Sequence, residues 1–236
     1  MIQNTLDLLR LVLAALYYPK VQILNPMPSI PTSSEAALEF ARTNHFTPLS
    51  QASFSVPLEP QAAKAFWLNL YNALTLHAMH AANIQNSVLE SLGFFNAYAY
   101  RIDGLVLTLN QIEHGILRAN RPALVGLPPF AKNDPRAKWV LPLDARIHFA
   151  LNCGAASCPP IRNYQAAQLE QQLELATHAY LSDCQVKDSV VYLPRLLSYY
   201  ATDFGKPLLF TQRYRPDLPN NAKVRFLPYQ WAKAYR

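Results

Sequence analysis

The amino-acid sequence predicts an α+β fold: a single helix-rich domain around a small antiparallel sheet, with a buried central helix over about 60–82. Three observations carry this expectation. The stretch EPQAAKAFWLNLYNALTLHAMHAAN (59–83) has no glycine, its only proline lies at the start, and Lys64 is its only charge between Pro60 and Asn83. A helix apolar almost all round is a buried one. The stretch YAYRIDGLVLTL (98–109) sets two runs rich in Tyr, Val, Leu and Ile around Asp103-Gly104, a pair that supplies the positive φ angles of a tight hairpin. Helical and strand patterns then follow one another without the regular alternation of a parallel sheet.

The remaining elements follow in order. At the N-terminus, MIQNTLDLLRLVLAALYYPK carries an apolar run from Leu11 to Tyr18, too short for the ~20 residues that span a bilayer. It lacks a basic start and a small-residue cleavage site, so an amphipathic first helix is expected, with no membrane span and a cytoplasmic location. Proline recurs through residues 25–60, where only SSEAALEFART (33–43) is helical in pattern, capped by Ser33 or Ser34. Residues 1–60 therefore read as a helix and a proline-rich arm packed on a core of 61–236. In NQIEHGILR (110–118), Asn110 and Glu113 have capping-box spacing. ARIHFALNC (145–153) alternates as a strand of the same sheet. Asn163 caps a helix through LEQQLELATHAYL, SVVYLP (189–194) is a strand, and RLLSYYATDF (195–204) is a helix closed by Gly205.

Composition narrows the function classes. With 51% hydrophobic and 15% charged residues the chain is globular rather than disordered. Its net charge of +6 is dispersed, the longest basic cluster being RYR at 213–215, which argues against nucleic acid as a partner. Three cysteines suit neither a disulfide scaffold nor a two-pair zinc site and favour a reducing compartment. None of the six glycines has GxGxxG spacing, so no nucleotide is expected, and no other cofactor or metal either.

The chemistry concentrates in HFALNCGAASCPPIR (148–162). A strand running into Gly-Ala-Ala-Ser leaves backbone N–H groups with little side-chain cover, an arrangement that binds an oxyanion or depresses a thiol pKa. Cys153 is the preferred nucleophile over Cys158, because Pro159 holds Cys158 extended and Pro160 offers no N–H. On a strand, however, His148, Ala150 and Asn152 face one way and Ile147, Phe149, Leu151 and Cys153 the other. Either the strand ends before Cys153, where Gly154 turns the backbone, or the base comes from elsewhere. His148 and His114 are the leading bases, with His77 and His80 behind them, and Glu113 is a candidate to orient the base. Asn69, Asn72 and His80 share a sector of about 80° on the central helix, where buried amides tie down loops or orient a catalytic group. Gly154, Ser157 and Cys158 complete the set of substrate-binding or orienting candidates. Cys184, after Asp183 at the polar end of a helix, has no such help. A cysteine in line with Ile, Phe and Leu also reads as a small buried hydrophobe, and a Cys153–Cys158 disulfide fits so short a loop in an oxidising compartment.

Five blocks in register, FWLNLYNALTLHA (66–78), LTLNQIEHGILR (107–118), DARIHFALNCGAASCPPIR (144–162), LLSYYATDFG (196–205) and VRFLPYQW (224–231), together resemble the DUF547 family over roughly Ala62 to Trp231. The resemblance marks Asn69, Asn72, Glu113, His114, His148 and Cys153 as belonging to its recognisable blocks, and implies no chemistry, since the family is named for lacking an assigned function. Ala145 departs from the proline expected in an Asp-Pro-Arg entrance, a change confined to the turn. Two readings remain open. One is a thiol-dependent hydrolase or acyl-transfer enzyme acting on a small-molecule or peptide amide or thioester. The other is a non-catalytic module that binds a peptide or small ligand with the same loop.

Overall fold

The computed structural model describes residues 56–123 and 126–234, together with the backbone of one strand, β1 (Val21–Ile23). The expected helices within residues 11–18 and 33–43 lie outside the described residues.

The central helix α1 (Pro60–Ala81) forms as expected. Glu59 caps it, accepting from the N–H groups of Gln61 at 3.0 Å and Ala62 at 2.6 Å, and Pro60 occupies the first turn, where a missing N–H costs nothing. Trp67, Leu68, Tyr71 and Leu74 on this helix are buried, and around them packs the larger of two apolar clusters. Among these apolar side chains two asparagines act as clamps. Asn69 donates to the carbonyl of Tyr164 at 2.7 Å and accepts from its N–H at 2.9 Å, while Asn72 does the same with the Ala150 carbonyl at 2.9 Å and the Asn152 N–H at 2.8 Å. His80 does not share that burial: it lies exposed near the helix end.

After α1 come the hairpin strands β2 (Ala99–Ile102) and β3 (Leu105–Thr108). Asp103 at φ 47° and Gly104 at φ 78° make the expected turn. β1 adds to the far side of β2, Val21 opposite Ile102, completing an antiparallel sheet. Its three residues are too few to carry a period. The Tyr100 hydroxyl donates to the Leu74 carbonyl at 3.1 Å and so ties the sheet to α1.

The capping box lies two residues earlier than the sequence suggests. Thr108 Oγ1 accepts from the Gln111 N–H at 3.2 Å and Gln111 Oε1 from the Thr108 N–H at 3.1 Å, whereas Asn110 is already helical and caps nothing. Glu113 is thereby released from capping. The turn that follows is a π-helix, Gln111–Leu117, whose wider winding brings Glu113, His114 and Arg118 inward together. Gly115 is required within it, because a Cβ there would meet the Phe130 ring at 2.4 Å.

The strand expected over ARIHFALNC is instead a 3-10 turn, Ala145–Phe149, followed by irregular chain. Asp144 decides this locally: it caps the turn through the Arg146 N–H at 3.1 Å and is gripped by the Arg146 guanidinium at 2.9 and 2.8 Å. Asp134-Pro135-Arg136 builds the same device, with proline where Ala145 stands, so the alanine keeps the turn. Alternation misleads here because residues 147–152 are all buried. Ile147, Ala150 and Leu151 belong to the α1 cluster, while Phe149 enters a second cluster with Leu193, Leu197, Phe204 and Phe210.

The second cluster is framed by α2 (Leu169–Leu181), β4 (Gln185–Lys187), β5 (Val190–Leu193) and β6 (Lys223–Phe226). Asn163 does not cap α2. Gln172 reaches back instead, accepting from the Gln165 N–H at 2.8 Å and donating to the Asn163 carbonyl at 2.9 Å. β5 pairs antiparallel with β4 but parallel with β6, so the second sheet is mixed. The expected helix 195–204 breaks at Tyr200 into single turns, Leu196–Tyr199 and Ala201–Phe204, and ends at Gly205 with φ 69°. Cys184 is buried in this cluster rather than on a polar edge.

Asn72→Ala would leave the Ala150 carbonyl and the Asn152 N–H unpaired in the interior. With about 1–3 kcal/mol for each buried orphan, we expect urea unfolding to show a loss of at least about 2 kcal/mol. A loss within a few tenths would refute the clamp.

Candidate functional site

Six residues, Cys153 to Cys158, form a loop fixed from both sides. The Ala156 N–H donates to the Ala232 carbonyl at 2.7 Å, the Ser157 N–H to the Gln230 carbonyl at 3.3 Å, and the Cys158 N–H to the Ala155 carbonyl at 2.9 Å. Ser157 is a clamp as well: its hydroxyl accepts from the Gln230 N–H at 2.9 Å and its carbonyl from the Tyr180 hydroxyl at 2.7 Å. Gly154, at φ 89°, donates its N–H to Asn152 Oδ1 at 2.7 Å and accepts from the Ala234 N–H at 2.9 Å. A Cβ at Gly154 would lie 2.2 Å from the Met79 sulfur. Most of the loop N–H groups are therefore spent on holding the loop.

The rest are spent on sulfur. Cys158 Sγ receives the Cys153 N–H at 3.1 Å, lies 2.9 Å from Cys153 Sγ, and is 3.2 Å from the Tyr229 hydroxyl. Hydrogen bonding from the Cys153 thiol, against the opposing effect of burial and with help from Tyr229 and the Cys153 N–H, brings Cys158 down to about 7. Cys153 is driven up by that same contact and by burial. Cys158 is thus the lowered thiol of the pair and Cys153 the raised one, whereas the prolines favoured Cys153 as the reactive member. Burial pushes Cys184 up to about 11.

Cys158 and Tyr229 line two spaces. A cavity of about 110 Å³ lies on one side, lined also by Cys153, Glu113, His114, His148, Tyr71 and Tyr200. A wider groove of about 440 Å³ lies on the other, along Arg162, Tyr180, Asp183 and Arg195. Tyr199, Tyr229 and Trp231 form an aromatic group beside the cavity, with successive ring centroids 5.5 and 4.7 Å apart.

The cavity wall opposite the thiols is a buried polar network. Glu113 accepts from the Tyr71 hydroxyl at 2.7 Å and the Tyr200 hydroxyl at 2.6 Å, lengths typical of a carboxylate acceptor. Burial alone would raise its pKa, but a charge on His114 and the hydroxyls of Tyr200 and Tyr71 outweigh it. Burial lowers His114 in turn, opposed by Glu113 and reinforced by Arg118. These two shifts pull against each other: a charge on His114 favours ionised Glu113, while burial and Arg118 disfavour that charge, and the Tyr200 and Tyr71 hydroxyls favour ionised Glu113 independently of it. Asp203 receives Arg118 through Nε at 2.6 Å and a terminal nitrogen at 3.0 Å, Arg121 at 3.1 Å and His148 Nε2 at 2.8 Å. Despite its burial, the His148 and Arg118 contacts hold Asp203 well below the usual carboxylate range. Burial likewise lowers His148, against the pull of Asp203.

Two tautomers follow. Arginine has no acceptor, so at 2.8 Å Arg118 donates to His114 Nδ1 and neutral His114 carries its proton on Nε2. Asp203 is acceptor-only, so neutral His148 donates from Nε2 and is bare at Nδ1. His148 stacks on the Tyr200 ring at 3.8 Å, which fixes its plane.

The structure thus brings Cys153, Cys158, Glu113, His114 and His148 around one cavity. Among the described residues no hydrogen bond joins either histidine to either cysteine. Asn69 and Asn72 do not line the cavity; they hold the chain that does. Among the described residues no three His, Cys, Asp or Glu side chains group as metal ligands, and no helix is long and apolar enough to cross a membrane.

The sequence model of the family described as protein of unknown function, DUF547, matches residues 56–181, more than half of the chain and the part that carries both cysteines and both site histidines. The chain belongs to the DUF547 family. No curated protein and no solved structure matches it. The site of this DUF547 chain extends past the matched stretch, because Asp203 and Tyr229 come from later blocks. Along with Tyr71, Arg118 and Tyr200 they were not singled out from the sequence. Their signal was present but not decisive: an arginine closing an apolar helix, and tyrosines on otherwise apolar faces.

A histidine whose folded pKa lies below its unfolded value of about 6.5 stabilises the fold above that value, and this contribution is lost as pH falls. His148, His114 and His77, the last lowered to about 4 by burial, all act in this sense. Urea titrations at pH 7.5 and pH 5 should therefore show lower stability at pH 5, by roughly 1.4 kcal/mol for each unit of histidine depression traversed. A higher midpoint at pH 5 would contradict the neutral histidines.

Proposed function

We propose that this DUF547 protein is a thiol-dependent hydrolase or acyl-transfer enzyme acting on an amide or thioester, with Cys158 as nucleophile. The observation that carries this reading is the convergence of three hydrogen-bonding groups on Cys158 Sγ, which lines both spaces: the Cys153 N–H, the Cys153 thiol and the Tyr229 hydroxyl. A sulfur held this way is ionised near neutral pH without a histidine base.

The roles follow from that placement. Cys158 attacks the carbonyl carbon of a substrate lying between groove and cavity. As negative charge moves from sulfur to the carbonyl oxygen, the Tyr229 hydroxyl follows it, since the N–H groups of Gly154, Ala156, Ser157 and Cys158 are already engaged. Neutral His114 orients the leaving group by donating a hydrogen bond from Nε2; an amide nitrogen takes its proton from solvent water as it departs, and a thiolate leaves without one. His148, bare at Nδ1, is the acceptor on the same wall and takes a proton from the water or acyl acceptor that releases the product. Arg118 and Asp203 hold the two rings, and Glu113, held by Tyr71 and Tyr200, adds a carboxylate beside them.

Iodoacetamide at pH 7 should alkylate Cys158 ahead of Cys153 and Cys184, read by peptide mass mapping. Tyr229→Phe removes one hydrogen bond to a charged sulfur, so the rate at pH 7 should fall about tenfold. Incubation with small activated thioesters should leave an acyl adduct on Cys158, and His114→Ala should slow its formation from amide substrates more than from activated ones. Fast alkylation without any acyl adduct across such substrates would favour the binding module.

A further inference from the structure

We propose that Cys153 and Cys158 are a redox pair, in which Cys158 is oxidised by a hydroperoxide and Cys153 resolves the product into an intramolecular disulfide. This goes beyond the proposed acyl chemistry and does not depend on it.

Geometry carries the inference. The two sulfurs are in contact at 2.9 Å, both unbonded, and need close by only about 0.9 Å to reach a disulfide length of about 2.0 Å. Rotation about the side-chain bonds supplies that movement while the loop stays anchored through Ala156, Ser157 and the Tyr180 hydroxyl. Access is also in place, because Cys158 lines both the cavity and the groove and is only half-buried. The geometry also favours Cys158 as the attacking sulfur: it receives the Cys153 N–H at 3.1 Å and lies nearer the Tyr229 hydroxyl, at 3.2 Å against 3.6 Å for Cys153, and a thiolate is the form that attacks peroxide. Cys184 is buried in the second apolar cluster and serves as an internal control.

The chemistry balances. The Cys158 thiolate attacks the terminal oxygen of the hydroperoxide, the O–O bond breaks, and the departing alkoxide or hydroxide takes a proton from solvent, leaving Cys158 as sulfenic acid. Cys153 then loses its proton, its sulfur attacks the Cys158 sulfur, and the hydroxyl leaves with that proton as water. Two electrons pass from the two sulfurs to the peroxide. The S–S bond removes the Cys158 nucleophile until an external thiol reduces it.

The test uses the full chain treated with hydrogen peroxide, followed by peptide mass mapping without reduction. The expected product is a peptide carrying a Cys153–Cys158 bond, lighter by two hydrogens, restored by dithiothreitol, with Cys184 still a thiol. In Cys153→Ser, Cys158 should instead be trapped by dimedone as sulfenic acid, at least tenfold more than in the wild type. Cys158 carried to sulfinic acid in the wild type while Cys153 remains a thiol would overturn the proposal. So would two cysteines that stay reduced under an exposure that oxidises them in the unfolded chain. Because the wild-type measurement stands alone, misfolding of the variant does not rescue it. A disulfide without an acyl adduct sinks the hydrolase reading and leaves this one, and an acyl adduct without a disulfide does the reverse.

Discussion

A guanidinium in a protein interior keeps its charge, so it must bring a counter-charge with it. Arg118 is 1% exposed, and the group that answers it is Asp203, 85 residues later and itself fully buried at its side chain. Breaking such a pair leaves an uncompensated buried charge, which costs several kcal/mol. This contact therefore requires the turn Ala201–Phe204 to close over the π-helix. It also ties the cluster around α1 to the cluster around Phe204. The polar wall of the cavity is assembled by that closure.

The same pair sets the protonation of the wall. Once Arg118 donates to His114 and Asp203 accepts from His148, one ring is left with a donor nitrogen and the other with an acceptor nitrogen. Two neutral histidines of opposite hydrogen-bonding character then flank a carboxylate held by two tyrosine hydroxyls. Among the described residues neither histidine hydrogen-bonds either sulfur. What lowers Cys158 is the Cys153 thiol, with the Tyr229 hydroxyl and the Cys153 N–H beside it.

A loop that spends the N–H groups of Gly154, Ala156, Ser157 and Cys158 on its own anchoring, and turns those of Cys153 and Ala155 to the sulfurs, has little to offer a substrate oxygen. That constraint moves stabilisation of any developing oxyanion onto side chains, and Tyr229 is placed between the thiols and both spaces. It also explains why Ser157 and Gly154, attractive as binding residues in the sequence, serve as backbone supports. The contact between the two sulfurs is a consequence of the same tight loop.

What the sequence determined by itself is the local chemistry. The apolar, glycine-free run made α1, Asp103-Gly104 made the hairpin, Gly154 marked the sharp turn, and the clustering of cysteines marked the loop that matters. Asn69 and Asn72 were legible as clamps because a buried amide must find partners. Tertiary structure alone decided the rest. Alternation over 145–153 was cancelled because residues 147–152 are all buried between two clusters, where period carries no information. Glu113 became a site residue only because Thr108 and Gln111 took the cap. The His148 proton depends on Asp203, 55 residues away, and one of the contacts that lower Cys158 comes from Tyr229, 71 residues away; even Arg118, only four residues from His114, is held in place by Asp203, 85 residues on, so these contacts exist only once the chain has closed.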